Sequence, residues 1–152
     1  MNERVREYID IMYDVMRVAG SRTVHAEAVF EGAHWLKEYA GKCSRLHGHT
    51  WLLEVEVELD AVEAQRVIEE NNGMMWDFTN IKKVVEKFDH TCLNEGMEKQ
   101  PTAENISEEI YKILRPSFLF DVGIVTVRLY ETAVRKEAYV EFTKVHVNEE
   151  IE

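Results

Sequence analysis

The spacing of apolar residues changes period several times along the chain, and each change marks an element. Between residues 2 and 18, Val5, Ile9, Met12 and Met16 recur at helical spacing, which predicts an amphipathic helix. From residue 23 to 36 the period falls to two. Val24, Ala26, Ala28, Phe30, Gly32, His34 and Leu36 share one side, opposite a polar side carrying His25, Glu27 and Glu31. Residues 47–59 alternate in the same way, Trp51, Leu53, Val55, Val57 and Leu59 against Leu52, Glu54, Glu56 and Glu58. Both segments read as strands with one face turned into a core. Residues 61–70 read as a helix halted by Asn71-Asn72-Gly73. Asp77 to Phe88 reads as another, with Ile81, Val84, Val85 and Phe88 on its apolar side. A helix opened by Pro101-Thr102-Ala103-Glu104 turns Ile106, Ile110, Ile113 and Leu114 inward and stops near Arg115-Pro116. Strands over 122–132 and 137–147 follow. This order predicts an α+β fold: a four-stranded antiparallel sheet with two helices on one face, plus the N-terminal helix.

Composition narrows the function classes. At 152 residues and 45% hydrophobic content, the chain is expected to be one domain, 1–152, with an ordinary core. A formal net charge of −11 argues against nucleic acid or an anionic membrane as partner, since both need a basic footprint. No apolar run reaches membrane-spanning length, and the charged start lacks a signal-peptide pattern, so a cytoplasmic location is expected. Cys43 and Cys92 are then expected as free thiols.

The densest chemistry lies in Cys43-Ser44-Arg45-Leu46-His47-Gly48-His49-Thr50-Trp51. Counting back from Trp51 by twos places His49 and His47 on the inward face, and His34 is in phase with the inward face of the preceding strand. Antiparallel pairing across residues 37–42 brings the three together. Three neutral imidazoles with a fourth position open describe a catalytic zinc site; calcium or magnesium would call for carboxylates. Two other readings stand beside this one: three separately hydrogen-bonded core histidines, or a closed structural site with Cys43 as fourth ligand. His25 and His146 are read as surface histidines.

Further candidates carry less pattern. Glu131 follows Val125, Val127 and Leu129 on one strand face. There it would bind a ligand with two adjacent N–H groups, such as a 2-amino-4-oxo-pyrimidine ring; past the strand's end it would sit in solvent. Asp89-His90 is either a helix-end pair or an aspartate orienting a proton-transferring imidazole. Cys43 is either a small buried thiol or, beside a zinc ion with Lys42 and Arg45 near, a thiolate base.

Six ordered blocks resemble one family. They are Phe30-Glu31-Gly32-Ala33-His34, Cys43 to His49, Gly73-Met74-Met75-Trp76-Asp77-Phe78, Asp89-His90 with Leu93-Asn94, Pro101-Thr102-Ala103-Glu104-Asn105, and Tyr130-Glu131-Thr132. From Val29 onward the chain resembles the 6-pyruvoyl- and 6-carboxy-tetrahydropterin synthases. The resemblance implies a tunnelling fold, in which trimers close a barrel and stack as a homohexamer, a dimer of trimers. It implies zinc on His34, His47 and His49, Cys43 as proton-abstracting base, and Asp89 with His90 as proton relay. Glu131 would anchor the pterin ring, with Thr102 and Glu104 as further substrate contacts. The three residues between Cys43 and His47 resemble the bacterial-type 6-carboxy enzymes of the queuosine and 7-deazapurine pathway, acting on 7,8-dihydroneopterin triphosphate; pyruvoyl-forming animal enzymes have a longer gap.

Three features depart from that pattern. Residues 1–22 form an N-terminal extension, residues 61–72 are longer and more helical than a short turn, and Trp35 stands where many members carry arginine. Lys42, Arg45, Arg135 and Lys136 are the candidates for holding a triphosphate.

Overall fold

The computed structural model describes residues 3–148. Helix α1, Glu3–Ala19, realises the first periodic stretch; Val5 and Met12 are buried, and residue 2 lies outside the described residues. Strands β1, Ser21–His34, and β2, His47–Asp60, then form a long antiparallel hairpin in continuous register, from Ser21 opposite Asp60 to His34 opposite His47. Along β2 the inward residues Trp51, Leu53, Val55, Val57 and Leu59 are completely buried. Full burial contributes roughly 1.5–3 kcal/mol for each aliphatic side chain. Val57→Asp would place an unpaired carboxylate in this face and cost several times that.

Asp60 ends the strand and starts the next element. Its side chain accepts hydrogen bonds from the amides of Val62 and Glu63, at 2.8 and 3.0 Å, and so caps α2, Ala61–Glu70. Asn72 and Gly73 adopt left-handed conformations, φ +50° and +86°, and the Gly73 amide donates to the Ile68 carbonyl, so the Asn-Asn-Gly signal does stop the helix. The segment expected as one helix from Asp77 to Phe88 divides into a 3₁₀ turn, Phe78–Asn80, and α3, Ile81–Phe88, because Asp77 caps the turn through the Thr79 amide.

The sheet has five strands rather than the four expected. The additional one, β3, is the pair Thr91–Cys92, which runs parallel to Gly32–Ala33 on the outer edge of β1. Two residues are too few to show a period. The short helix α4, Leu93–Gly96, follows it directly, and α5, Ala103–Leu114, is capped by Thr102 through the Asn105 amide at 3.4 Å. Strand β4, Val122–Tyr130, pairs with β2, and β5, Val140–Val147, pairs with β4, giving the order β3-β1-β2-β4-β5. The last strand starts three residues later than its pattern suggests.

Helices α3 and α5 cover the inward face, α3 against β1 and α5 against β4 and β5. Helix α1 packs on β2, β4 and α2. No helix of the described residues is long and apolar enough to cross a membrane. One end of the sheet matters for function. There β1 stops, β2 starts, β4 stops and β3 crosses the edge, so residues far apart in sequence meet.

Candidate functional site

Strand register builds the centre of this region. His34 and His47 are direct cross-strand partners, and His49 follows two residues along β2 on the same face. The ring centroids lie 4.6 Å (His34–His47), 5.2 Å (His34–His49) and 4.9 Å (His47–His49) apart. One ring nitrogen from each falls within 4.8 Å of the other two.

Two backbone carbonyls set the tautomers. Nδ1 of His34 lies 2.7 Å from the Pro101 carbonyl and Nδ1 of His47 lies 2.7 Å from the Arg45 carbonyl. A carbonyl only accepts, so both Nδ1 atoms carry the proton and both Nε2 atoms present lone pairs. Nε2 of His34 and Nε2 of His49 are buried with no hydrogen-bond partner among the described residues. A desolvated lone pair on His34 Nε2, with ring nitrogens of His47 and His49 close by and no partner supplied, is an arrangement that a bound cation relieves. The His49 pKa is pushed below its ordinary value, chiefly by burial and further by its two histidine neighbours, against an upward pull from Glu131. Neutral imidazole is the metal-binding form, so the set fits a metal that accepts nitrogen ligands. Trp51 forms the floor: its ring meets His34 and His49 edge-on at 5.2 Å each, and its Nε1 donates to the Gly32 carbonyl at 3.2 Å.

Asp89 and His90 lie on the β3 edge. Asp89 accepts from the Glu31 amide at 2.8 Å through one carboxylate oxygen, and from Nδ1 of His90 at 2.9 Å through the other. These bonds, the backbone one foremost, hold the Asp89 carboxyl below its usual range, so it stays ionised. His90 takes a left-handed conformation, φ +56°, and its own amide donates to the Glu31 carbonyl at 2.6 Å. With Nδ1–H on Asp89, Nε2 of this exposed imidazole is the free acceptor. His49 and His90 line one groove of about 440 Å³ together with Glu31, Thr50 and Cys92.

Glu131 sits just past the end of β4, which stops at Tyr130. It is exposed in the single chain, yet lines a cleft of about 450 Å³ with Thr102, Glu104, Leu36 and Tyr139. Cys43 lines neither cleft. It is half-buried in a 3₁₀ turn, Lys42–Ser44, and stands outside the cluster of ligand atoms; its carbonyl accepts from the Leu36 amide at 2.7 Å. Cys43 and Cys92 are both free thiols.

Some contributors carry no sequence signal. The Pro101 and Arg45 carbonyls act through their backbone, which any residue offers. The Asn94 side chain clamps both the amide and the carbonyl of Trp35, at 3.0 and 2.9 Å. Lys136, one of the triphosphate candidates, is tied to Glu54 at 3.1 Å and lies over the Tyr130 ring. His146 is not at the surface. It is 3% exposed, packed against Phe118 and Phe120, and its Nδ1 meets the Tyr111 hydroxyl at 3.0 Å. Its strand position looked polar because the partner hydroxyl comes from α5, remote in sequence.

Comparison with known proteins supplies the last observations. A 6-carboxy-5,6,7,8-tetrahydropterin synthase from Synechocystis is 31% identical over 122 residues, covering 76% of this chain and 91% of the relative. A dihydroneopterin monophosphate aldolase from Pyrococcus furiosus is 36% identical over 108 residues, covering 68% and 84%. The match spans about half the length of other relatives, 45% and 44% of the proteins from Pyrococcus horikoshii and Pyrococcus abyssi. Among solved structures, the Caenorhabditis elegans 6-pyruvoyl tetrahydropterin synthase superposes with a TM-score of 0.57 at 21% identity, covering 83% of this chain and 96% of that one, which shows the shared fold. The family model described as 6-pyruvoyl tetrahydropterin synthase matches residues 23–143, a span that holds all three converging histidines, both clefts and the Asp89–His90 pair. The chain therefore belongs to the 6-pyruvoyl tetrahydropterin synthase family.

Proposed function

We propose that the protein is a zinc-dependent 6-carboxy-5,6,7,8-tetrahydropterin synthase acting on 7,8-dihydroneopterin triphosphate in queuosine or 7-deazapurine biosynthesis. The observation that carries this reading is the convergence of His34, His47 and His49, two of them oriented by backbone carbonyls and two left with buried, partnerless Nε2 atoms. Three imidazoles and an open fourth position suit zinc in a catalytic role. When bound, the ion would polarise the substrate's side-chain oxygens as a Lewis acid.

The remaining roles fall to the chain's own groups. The Glu131 carboxylate would accept two parallel N–H bonds from the 2-amino-4-oxo-pyrimidine edge, with Thr102 and Glu104 completing that cleft. Cys43 would take a proton from the side-chain carbon as thiolate. His90, its Nδ1–H held by Asp89, would receive and return protons at Nε2. Triphosphate leaves with its bonding electron pair, and hydrolytic cleavage of the C1′–C2′ bond leaves a 6-carboxy group and acetaldehyde. In that cleavage water supplies the second carboxylate oxygen and the dihydropterin ring is reduced to the tetrahydro level. The working form would be a cytoplasmic homohexamer, whose barrel closure hides the sheet edges of the subunit.

The Pyrococcus furiosus relative supports a second reading, in which the same cleft takes a dihydroneopterin monophosphate and an aldol cleavage occurs. Metal-loaded protein incubated separately with dihydroneopterin triphosphate and monophosphate, with the pterin product identified by mass, decides between them. A 6-carboxy product from the triphosphate is expected. A 6-pyruvoyl product or a 6-hydroxymethyl product would overturn the first reading, and no turnover of either substrate would leave a metal- or pterin-binding module.

A further inference from the structure

We propose that Thr50 is a positioning residue for His90, acting by holding the Glu31 carboxylate away from it; the assignment rests on the catalytic reading of His90 above. Glu31 meets the Asp89–His90 turn through its backbone alone: its amide donates to Asp89 at 2.8 Å and its carbonyl accepts from His90 at 2.6 Å. These bonds bring the Glu31 side chain into the groove that His49, Thr50 and His90 also line. One carboxylate, that of Asp89, engages the His90 imidazole at 2.9 Å, and a second, that of Glu31, belongs to a residue lining the same groove. Both oxygens of Glu31 instead receive the Thr50 hydroxyl, at 2.8 and 2.9 Å.

The consequence follows from donor and acceptor counting. His90 is useful as a base only while one carboxylate binds Nδ1–H and Nε2 stays free. A loose second carboxylate in the same groove would compete for the ring, turning it or trapping its proton. Thr50 is suited to prevent this, because it is the cross-strand partner of Glu31 and its own carbonyl accepts from the Ala133 amide at 2.9 Å. That second bond fixes Thr50 to the turn that follows Glu131. The left-handed backbone of His90 adds to the need, since such a conformation is held only where its surroundings determine it.

The variants Thr50→Val, Glu31→Gln and the double change test the assignment on the metal-loaded, full-length protein. Thr50→Val should lower kcat about 10- to 100-fold, as loss of an orienting partner typically does, with KM, metal content and melting temperature close to wild type. Glu31→Gln should stay near wild type, because the amide oxygen still accepts from Thr50 and carries no charge. The double variant should recover most of the activity lost in Thr50→Val, which a purely structural role for the pair would not allow. Side-chain ¹⁵N shifts of His90 give a readout independent of turnover. They should report the Nδ1–H tautomer in wild type, Glu31→Gln and the double variant, and a changed population in Thr50→Val. An unchanged His90 spectrum in Thr50→Val, or a double variant no better than the single one, overturns the assignment. If the wild type itself turns over no pterin, the catalytic reading fails and the spectrum alone decides the role of Thr50.

Discussion

Two histidine sites in this molecule, each built around a fully buried imidazole, His34 and His146, differ in kind. At the mouth of the β1–β2 hairpin, His34, His47 and His49 converge, and Nε2 of His34 and of His49 has no hydrogen-bond partner among the described residues. At the opposite corner, His146 is enclosed by Phe118, Phe120 and Tyr111, and its Nδ1 meets the Tyr111 hydroxyl. Burial depresses the pKa of both His49 and His146, the latter to about 4. Burial and a lowered pKa thus do not mark a functional histidine. Unsatisfied nitrogens aimed at a shared point do, because evolution of a stable core removes such orphans unless a ligand satisfies them.

The largest expected effects break the first site. His47→Ala and His49→Ala should each lose most bound metal, measured by elemental analysis, and with it nearly all turnover. His25→Ala should lose neither, and its stability should stay within about 0.5 kcal/mol, as expected of an exposed side chain on the outer face. Full metal retention in both ligand variants would sink the site assignment.

Cys43→Ala sharpens the same region. If the thiol acts as a base, turnover should fall about 100- to 10,000-fold while metal and fold persist. Loss of metal with lowered thermal stability would instead make it a structural ligand. Glu131→Gln should be milder in kind, since an amide can accept one N–H bond but not two charge-assisted ones. Pterin affinity should drop about 10- to 100-fold, matching roughly 1.5–3 kcal/mol for a hydrogen bond to a charged group. Isothermal titration with a pterin reads this directly.

The second site is tested by acid. Folding lowers the His146 pKa from 6.5 to about 4, mainly by burial and further through Arg115 and Lys144, so the unfolded chain takes up the proton more readily. Stability from this group is complete above pH 6.5 and is lost as pH falls toward 4, by about 3 kcal/mol in all. His146→Gln keeps an acceptor for Tyr111 but does not titrate. The difference between its denaturation curve and the wild-type curve should therefore vanish in slope above pH 7 and grow below 6.5. An equal acid dependence in both proteins would remove His146 as its source.

Pattern alone went furthest where the backbone repeats. Alternation placed β1 and β2 within two residues of their observed bounds and put His34, His47 and His49 in one phase, since period-two geometry leaves no other face for them. The Asn-Asn-Gly stop of α2 is legible for a similar local reason, whereas the Asp60 cap emerges only from the structure. By contrast β3 escaped notice because two residues have no period, and the Asp77–Phe88 helix was read too long because a 3₁₀ turn shares its apolar spacing.

Contacts between remote segments answered to the tertiary structure only. No spacing announces that Pro101 would offer its carbonyl to His34, that Asn94 would clamp Trp35, or that Tyr111 would reach His146. The position of Glu131 was equally open, because its fate depended on whether β4 ran one residue further. Local pattern sufficed for the long strands and helices, their inward faces and the three in-phase histidines, because those follow from interactions within a few residues along one strand or helix. The approach of the Pro101 carbonyl to His34, the parallel edge at Thr91–Cys92 and the burial of His146 were settled by the fold, since they depend on long-range packing that no local period encodes.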